Sequence, residues 1–521
     1  MSNAAVYSRA QLGLEAPLVT VETHLTQGLP GFTLVGLPAA AVREARDRVR
    51  SAIVNSGFRF PRGKVIVNLA PGDLAKEGPR YDLAIAASVL CATGQLTTRR
   101  AADYEFLGEL SLDGSLRGIR GSYCAALASE GAGTGRRLVL PGQGHDPLLP
   151  LDQAPLLIEH LKDLPTLLEQ AHRVSGHPAL PGSSQTPAST AASAPLYGQI
   201  VGHRVPKRAL VVAAAGAHHL LLVGPPGTGK SLLARALREL LPPLTASELR
   251  VVASIYSAAN LCVPCGHPPF REPHHSASAA AMIGGGRDAR PGELTLAHHG
   301  LLFLDELPHF QRNVLELLRE PMSSGAIALA RAAWRITFPA QFQLVAAMNP
   351  CPAGGHCQES ACRCEPVQVR RYQARISGPL LDRIDLQLNV APLPKEALLR
   401  LALGPMETSA IADGQGELDG ADLCAAVAAA RARQVERQGT LNGAAAVVHQ
   451  PALPLARDAQ RLLERMLQSE ALSARGATRI LAVACTIADL DAARRLQPAH
   501  LSEAFSYRRL TWGGPAGMAG W

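Results

Sequence analysis

The 521-residue sequence lacks the features that mark membrane and secreted proteins. It contains no apolar run that approaches the ~18–20 residues needed to cross a bilayer, so we expect no membrane partner. Residues 1–18 lack the charged-then-apolar pattern of a secretory signal peptide, which argues against secretion. We therefore expect a cytoplasmic protein, whose ten cysteines are reduced thiols or metal ligands rather than a disulfide framework.

Charge and composition restrict the function only weakly. Apolar residues make up 47% of the chain and charged residues 18%, as in ordinary soluble globular proteins. The net charge of +8 is compatible with a polyanionic partner such as DNA or RNA. The excess is mild for this length, however, and an Arg- and Ala-rich composition can also reflect genome bias.

The length predicts two or three domains, and the sequence shows where they divide. The segment His177–Pro195 is rich in Pro, Ser, Ala and Thr and is typical of a flexible linker. Downstream, strand-like apolar runs alternate with helical stretches, which predicts a parallel α/β sheet. These segments are the runs His219–Val223, Leu301–Leu304 and Gln343–Ala347, with Ser231–Leu241 as a helix. From about Pro394 the pattern turns helical, with segments at Ala421–Arg437 and Leu455–Glu470.

A glycine-rich motif between a predicted strand and a predicted helix indicates a phosphate site. The motif comprises Gly224, Pro225, Pro226, Gly227, Thr228, Gly229, Lys230 and Ser231. Its glycines let backbone N–H groups surround phosphates, Lys230 reaches the β and γ phosphates, and Ser231 supplies a hydroxyl to Mg²⁺. The helix that begins near Lys230 adds the positive end of its dipole. The motif therefore predicts binding of ATP with Mg²⁺.

Two later strands end in polar residues that complete such a site. The run Leu301–Leu304 is followed by Asp305, suited to the Mg²⁺ ion, and Glu306, suited to the attacking water. The next strand ends in Met348-Asn349, and the asparagine there can sense the γ-phosphate and orient water. Taken alone, the two acids would often be only a strand end, and the asparagine would more often be a turn residue.

Several long motifs resemble one family in the same order along the chain. LLLVGPPGTGKSLLAR, GGGRDARPGELTLAHHGLLFLDELPHF, FQLVAAMNPCPAGG and RISGPLLDRIDLQL are similar to the magnesium-chelatase-like AAA+ ATPases of the ComM/YifB family. The N-terminal segments GLPGFTLVGLPAAAVREARDRVRSAIVNSGF and NLAPGDLAKEGPRYDLAIAASVL also fit. The resemblance implies a homo-hexameric ring and a helicase that promotes branch migration on single-stranded and branched DNA. It further implies a role in natural transformation and homologous recombination, with recombination proteins as partners.

The resemblance also implies an α/β fold in three parts. Residues 1–172 would form a Lon-protease-like domain on a ribosomal-protein-like α/β fold, and 173–196 the linker. Residues 197–394 would form the AAA+ core, and 395–521 a C-terminal helical lid.

Arginines that complete the nucleotide site are assigned from the same resemblance. Arg383 resembles the finger that a neighbouring subunit presents to ATP, where it stabilises the charge on the transferring phosphoryl group. The alternative for Arg383 is a surface salt bridge with Asp382 or Asp385.

In the lid, the segment LSARGATRILAVACTIADL is similar to the second sensor helix of the family. Arg479 is the expected contact with the nucleotide, and Arg475 is the alternative. Relatives usually carry a further basic residue where this chain has Cys485.

A strand–turn–strand pattern, AIALARAAWRITFPAQF, supplies the DNA-binding candidates. In related ring helicases a hairpin here projects into the pore, so Arg331 and Arg335 would meet phosphates and Trp334 would stack on a base. A surface hairpin with solvated arginines is an equal alternative. The segment FREPHHSASAAAMIGGGR resembles the inserted loop of the family, and its His274-His275 pair is more often structural than a metal site.

Four cysteines lie within a Gly-rich loop: Cys351, Cys357, Cys362 and Cys364. Four thiols in a cytosolic protein are suited to a tetrahedral Zn²⁺ ion. Against zinc, the spacing does not give two CxxC knuckles, and Ala353 stands where relatives often have a cysteine. Cys262 and Cys265 form a separate CxxC pair without a second pair.

The N-terminal region resembles a Lon protease domain without its catalytic Ser-Lys dyad. Gly78-Pro79 is followed by Arg80 where the serine is expected, and Tyr123 stands where the lysine is expected. Without an activated nucleophile covalent catalysis is absent, so we expect a binding or assembly module and no peptidase activity. Three functions follow for the whole chain: an ATP-driven DNA translocase, the ATPase subunit of a metal chelatase, or a protein-remodelling chaperone.

Overall fold

The computed structural model describes residues 2–36, 40–143, 149–173, 196–264, 267–286, 289–331, 334–354, 364–393, 420–444, 453–469 and 474–508. Its strands are Ser2–Arg9 (β1), Leu18–Thr26 (β2), Gly31–Val35 (β3), Lys64–Ala70 (β4), Tyr104–Phe106 (β5), Glu109–Leu110 (β6), Leu116–Arg117 (β7), Arg137–Pro141 (β8), Leu156–Ile158 (β9), Leu220–Val223 (β10), Phe270–Arg271 (β11), Gly284–Gly285 (β12), Arg290–Pro291 (β13), Leu301–Leu304 (β14), Ala326–Arg331 (β15), Trp334–Pro339 (β16), Gln343–Met348 (β17) and Leu386–Asn389 (β18).

Its α-helices are Ala40–Asn55 (α1), Asp82–Ala92 (α2), Thr98–Ala101 (α3), Ser122–Gly131 (α4), Leu164–Arg173 (α5), Leu196–Gln199 (α6), Arg204–Gly216 (α7), Lys230–Leu240 (α8), Ala246–Ala259 (α9), Ala279–Ile283 (α10), Glu293–Leu296 (α11), Arg312–Leu317 (α12), Pro321–Ser324 (α13), Pro366–Gln373 (α14), Gly378–Leu381 (α15), Gly420–Gln438 (α16), Arg457–Ser469 (α17), Ala474–Leu490 (α18) and Pro498–Ser506 (α19). Within the described ranges, none of these helices combines the length and apolar character that a bilayer-spanning segment requires.

The N-terminal sheet is mixed, with the strand order β3-β4-β2-β1-β5-β8-β9. Strand β2 runs antiparallel to both of its neighbours, β4 and β1. All the other pairs are parallel: β3 with β4, β1 with β5, β5 with β8, and β8 with β9. Helix α2 is apolar on all sides, and every one of its residues is buried. Such a helix is stable only when it is enclosed by other elements, and α2 packs against β1 and β2. It lies at the centre of the N-terminal core.

The second sheet is parallel and has the strand order β11-β14-β17-β10-β18. Strands β10, β14 and β17 are buried along their whole length, as continuous apolar runs in a parallel sheet require. The predicted α/β class is therefore confirmed. Strand β17 lies between β10 and β14, so the carboxyl ends of all three strands meet at one edge, where ligands bind in open α/β sheets.

The helices that follow this sheet in the chain pack back onto it. Helices α16, α18 and α19 share a hydrophobic cluster with α7 and α8, which flank β10. Val427, Ile480 and Leu501 are each almost fully buried in that cluster. The helical segments predicted at 421–437 and 455–470 correspond to α16 and α17.

Helix α4, which follows the β6–β7 hairpin in the chain, packs against helix α9. The backbone N–H groups of Gly121 and Tyr123 donate to the carbonyl and the hydroxyl of Ser257, at 2.9 and 3.1 Å. At the rim, Arg250 forms an ion pair with Asp152 at 2.6 Å. Because two backbone donors are satisfied across this contact, it fixes the start of helix α4 against α9.

Candidate nucleotide-binding site

The glycine-rich segment forms a loop between β10 and α8, at the carboxyl edge of the parallel sheet. The N–H of Gly224 donates to the carbonyl of Met348 at 3.1 Å, which ties the loop to the end of β17. A Cβ atom on Gly224 would lie 2.3 Å from the carbonyl oxygen of Val390, so only glycine fits there. Gly227 and Gly229 have φ values of 76° and 81°, a region that side chains disfavour. The shape of the loop therefore depends on its glycines.

Lys230 is the first residue of α8, and its ammonium group lies inside the loop. Nζ donates to the carbonyls of Gly224 and Pro225 at 2.7 and 2.8 Å, and to Oδ1 of Asn349 at 3.2 Å. Burial lowers the pKa of Lys230, and the carboxylate of Asp305 opposes that shift. The structure thus brings together Lys230 and Asn349, two residues that the sequence predicted for one phosphate site.

Ser231 and Asp305 meet next to this lysine. The hydroxyl of Ser231 donates to Oδ2 of Asp305 at 3.1 Å, and Oδ1 of Asp305 accepts from the N–H of Glu306 at 2.8 Å. A hydroxyl and a carboxylate are hard oxygen donors of the kind that Mg²⁺ prefers, and Mg²⁺ is usually held by only one or two protein side chains beside phosphate and water. The pair therefore fits the predicted ion. No group of three or more His, Cys, Asp or Glu residues suited to a metal occurs among the described residues.

Glu306 follows Asp305 with an unusual backbone conformation. Its φ of 52° lies in the left-handed region, which is uncommon for a residue with a Cβ atom and is often found at functional sites. Its side chain is half exposed, and Oε2 lies 3.5 Å from Nδ1 of His275. A half-exposed carboxylate that directly follows Asp305 in the chain is suited to orienting a water molecule.

Within the described part of the chain, Arg383 makes hydrogen bonds to neutral groups and not the salt bridge with Asp382 or Asp385 that was the alternative to a finger role. Its Nε donates to Oγ of Ser323 at 3.0 Å, and one terminal nitrogen donates to the carbonyl of Pro379 at 2.8 Å. Among the described residues it has no ion pair with either neighbouring aspartate. Burial and the charges of Arg319, Arg475 and Arg479 lower the pKa of Arg383. Asp382 opposes this shift, so the surroundings of Arg383 carry charges of both signs, with arginines in the majority.

Arg479 has an acidic partner that the sequence did not predict. One of its terminal nitrogens lies 3.1 Å from Oδ1 of Asp385, which is fully buried. Oδ2 of the same carboxylate lies 3.3 Å from Nδ1 of His218, whose Nε2 lies 2.7 Å from Oγ1 of Thr486. A signal for this network existed in the sequence, because Asp385 stands between the apolar residues Ile384 and Leu386. The contact of Arg479 with nucleotide stays a prediction.

The DNA-binding candidates lie on an antiparallel hairpin, as the strand–turn–strand pattern predicted. Strands β15 and β16 pair with Arg331 opposite Trp334. Arg331 and Arg335 are exposed, and Trp334 is half buried. Residues 332–333 at the turn lie outside the described residues. The hairpin is anchored at its base by Ile327 and Phe338, both of which are buried.

The cysteine cluster is only partly described. Cys351 is buried and Cys364 is half buried, whereas Cys357 and Cys362 lie outside the described residues. The zinc site therefore stays a prediction.

Arg80 and Tyr123, which stand where the resemblance would place a Ser-Lys dyad, both donate hydrogen bonds to backbone carbonyls. Arg80 donates to the carbonyl of Arg120, and the hydroxyl of Tyr123 donates to the carbonyl of Pro150 at 2.8 Å. Burial raises the pKa of Tyr123 to about 12, so its hydroxyl stays neutral at ordinary pH. Both side chains are buried, and they make structural hydrogen bonds where a protease would expose its nucleophile.

Comparisons with known proteins match related family models to three segments of the chain. The family model described as "Magnesium chelatase, subunit ChlI" matches residues 197–398. Models for "Subunit ChlI of Mg-chelatase" and for the ChlI C-terminal region match residues 21–143 and 418–508. Protein YifB of Escherichia coli is 44% identical over 98% of both chains, and competence protein ComM of Haemophilus influenzae is 42% identical over the same share. The magnesium-chelatase 38 kDa subunit of Cereibacter sphaeroides is 30% identical over 30% of this chain and 52% of its own.

Proposed function

We propose, from the premise that the chain belongs to the magnesium-chelatase-like ComM/YifB family of AAA+ proteins, that it is an ATP-driven DNA motor. In this proposal it assembles into a homo-hexameric ring and promotes branch migration as a helicase. Natural transformation and homologous recombination are the proposed processes, since one relative is named as a competence protein. Recombination proteins would then be its partners.

The observation that carries the ATPase part is the cluster of Lys230, Ser231, Asp305 and Asn349 at one sheet edge. Lys230 and the N–H groups of the loop bind phosphate oxygens, and Asn349 positions the lysine. Ser231 and Asp305 would hold Mg²⁺, which would neutralise charge on the phosphates. Glu306 orients the attacking water and accepts its proton.

The ring part of the proposal follows from the surroundings of Arg383. Burial and the charges of three nearby arginines disfavour a charged Arg383 in an isolated chain, with Asp382 opposing them, and an anion from a neighbouring subunit would stabilise that charge. Loss of such a finger reduces turnover by about 10³–10⁵-fold in other NTPases. Active sites would then form between subunits.

The DNA part is supported by the exposed arginines of the β15–β16 hairpin. Arginine side chains on a projecting hairpin bind backbone phosphates without sequence preference, and an aromatic ring between them stacks on a base. For binding of this kind, the logarithm of the association constant falls linearly with the logarithm of the salt concentration, because each phosphate contact releases condensed counterions.

The deciding experiment is ATPase activity measured without DNA, with single-stranded DNA and with forked DNA. The proposal expects stimulation by DNA that declines with added salt and disappears in the Lys230→Ala protein. Equal rates with and without DNA at low salt would contradict the motor.

A chelatase function has one observation in its favour, which is the description of the matching family models. The chelatase relative itself covers only 30% of this chain, whereas YifB and ComM cover 98%. ATPase activity that DNA leaves unchanged but that rises with a metal-insertion partner would favour this alternative.

A further inference from the structure

We propose that the loop between β1 and β2 is a brace that positions the β15–β16 hairpin for DNA, and that Gly13 at its tip makes the contact. The inference rests on the proposed function and adds a positioning element to it. Strands β1 and β2 belong to the first sheet and precede the phosphate motif in the chain. The structure nevertheless brings the tip of their connecting loop against strand β16.

The β1–β2 loop has a fixed shape. The N–H of Leu12 donates to the carbonyl of Glu15 at 2.9 Å, and the N–H of Glu15 donates back to the carbonyl of Leu12 at 3.0 Å. The side-chain amide of Gln11 donates to the carbonyl of Gly13 at 2.6 Å. These bonds hold Gly13 in a tight turn, so its position is set by β1 and β2.

Gly13 lies in direct contact with two side chains of the hairpin. A Cβ atom on Gly13 would lie 2.8 Å from Cγ2 of Ile336, 3.3 Å from Cδ1 of the same residue and 3.4 Å from Cζ of Phe338. Carbon atoms that are not bonded to each other pack at about 3.5–4.0 Å. A side chain at Gly13 would therefore displace the hairpin, and the φ of 62° at this residue also favours glycine.

The contact falls on the face of the hairpin that carries Trp334. Alternate residues of a strand share a face, so Trp334, Ile336 and Phe338 lie on one side of β16. Arg335 and Thr337 lie on the other side, and both are exposed. The brace thus covers part of the apolar face and leaves the face of Arg335 open to a phosphate backbone.

A second contact supports the hairpin at strand β15. A Cβ atom on Gly285 of β12 would lie 4.0 Å from Cδ1 of Leu329 and 3.9 Å from a terminal nitrogen of Arg331. Leu329 pairs with Ile336 across the hairpin, so both supports touch the same face. A two-stranded ribbon is only marginally stable in water by itself. The positions of Arg331 and Arg335 therefore depend on these supports.

The β1–β2 loop is itself anchored by packing. Leu14, next to Gly13, packs against a buried cluster that contains Val252 and Tyr256 of α9 and Leu296 of α11. The hydroxyl of Tyr256 donates to the carbonyl of Leu296 at 3.1 Å, which ties the two helices of that cluster together. The loop therefore has a packed base from which to hold the hairpin.

The test compares Gly13→Ala with Gly133→Ala in the full-length protein. Both glycines have almost the same φ, 62° and 61°, so both variants introduce similar backbone strain. A Cβ atom on Gly133 would have no contact within 4 Å, whereas one on Gly13 would meet Ile336. We expect Gly13→Ala to lower the salt slope of DNA binding by about 1, the contribution of one phosphate contact, and to reduce the stimulation of ATPase activity by DNA. Gly133→Ala should match the wild type in both measurements.

A fluorescence measurement reports on the hairpin without DNA. The chain has three tryptophans, so Trp512→Phe and Trp521→Phe together leave Trp334 as the only one. In this background we expect acrylamide to quench Trp334 more strongly in Gly13→Ala than in the parent protein, and equally in Gly133→Ala and the parent. Ile336→Ala removes the contact from the hairpin side and should also increase the quenching. Adding Gly13→Ala to Ile336→Ala should then produce no further change.

A Gly13→Ala protein whose quenching or salt slope equals that of its parent overturns the brace. So do changes of equal size in Gly133→Ala, or a full effect of Gly13→Ala in the Ile336→Ala protein. If Gly13→Ala does not fold, Ile336→Ala decides alone, and unchanged quenching of Trp334 in that variant overturns the proposal. A wild-type protein that does not bind DNA would instead contradict the motor function, while the quenching of Trp334 would still decide the brace.

Discussion

Replacing Asp385 tests how the AAA+ core holds the C-terminal helices. The carboxylate is fully buried and accepts from Arg479 at 3.1 Å and from the backbone N–H of His219 at 3.2 Å. Burial by itself would raise the pKa of Asp385, but Arg479 and the two histidines hold it well below its usual range. The ionised Asp385 carboxylate therefore stabilises the folded state at pH values above its unfolded pKa of 3.8, and this contribution to the free energy of unfolding is lost as the pH falls below that value.

Asp385→Asn keeps the shape and an acceptor for the backbone N–H but removes the charge that pairs with Arg479. Breaking a buried ion pair from one side costs about 3–5 kcal/mol. The side chain of Arg479 is 14% exposed, so water solvates it in part and we expect the lower figure, about 3 kcal/mol. Native-state hydrogen exchange of β18 and α18 should then quicken by about 150-fold at neutral pH.

Two further variants of the chain test whether the faster exchange comes from the unpaired buried charge. Asp385→Asn combined with Arg479→Met removes both charges and should exchange more slowly than the single variant, because no buried charge is left unpaired. Asp382→Asn, at a half-buried neighbour, should change the free energy of opening by less than ~0.5 kcal/mol. Exchange in Asp385→Asn within about fivefold of wild type would refute the reasoning, since the carboxylate would then contribute little to holding α18.

Three predictions concern the proposed DNA motor. Lys230→Ala should lose nucleotide binding because it removes the cation that contacts the phosphates. Glu306→Gln should still bind ATP but hydrolyse it about 10²–10⁴-fold more slowly than the wild type. A fluorescent-nucleotide binding assay together with a turnover assay separates the two variants. Replacing Arg331 and Arg335 together by alanine should lower the salt slope of DNA binding by about 1.5 and uncouple ATPase from DNA, and wild-type fork unwinding would contradict the pore hairpin. Inactive Lys230→Ala and Arg383→Ala proteins should regain ATPase activity when mixed, since some interfaces then pair an intact loop with an intact finger, and normal turnover by Arg383→Ala alone would exclude a shared site.

Local patterns predicted the parallel sheet and most of the side chains that meet at the candidate phosphate site. The helix expected at 231–241 is α8, Lys230–Leu240, and the expected hairpin is the β15–β16 pair. These elements were predictable because motif spacing and apolar runs act over a few residues. The meeting of Lys230 with Asn349 followed from strand order, which the sequence suggested only through the polar residues at the strand ends.

Long-range polar contacts were not predictable in the same way. Arg479 pairs with a residue 94 positions away, and His218 meets a threonine 268 positions away. The hydrogen bond from the backbone N–H of Tyr123 to Ser257 likewise joins residues 134 positions apart. Nothing in the local sequence distinguishes an arginine that faces a buried acid from one that faces a phosphate, because both positions favour the same charge.

The surroundings of Arg383 are suited to one side of an anion-binding site shared between two subunits. Like charges placed close together destabilise a fold, so their concentration requires a compensating interaction. Arg319 has one in Glu316, at 2.5 Å, and Arg479 has one in Asp385. The guanidinium of Arg383 instead bonds a hydroxyl and a carbonyl, both neutral, while the neighbouring arginines lower its pKa. An anion that approaches this face would be attracted by these arginines. In the proposed ring, that anion is the γ-phosphate in the loop of a neighbouring subunit. Assembly and catalysis would then be linked, because the interaction that stabilises the interface is the one that stabilises charge during hydrolysis.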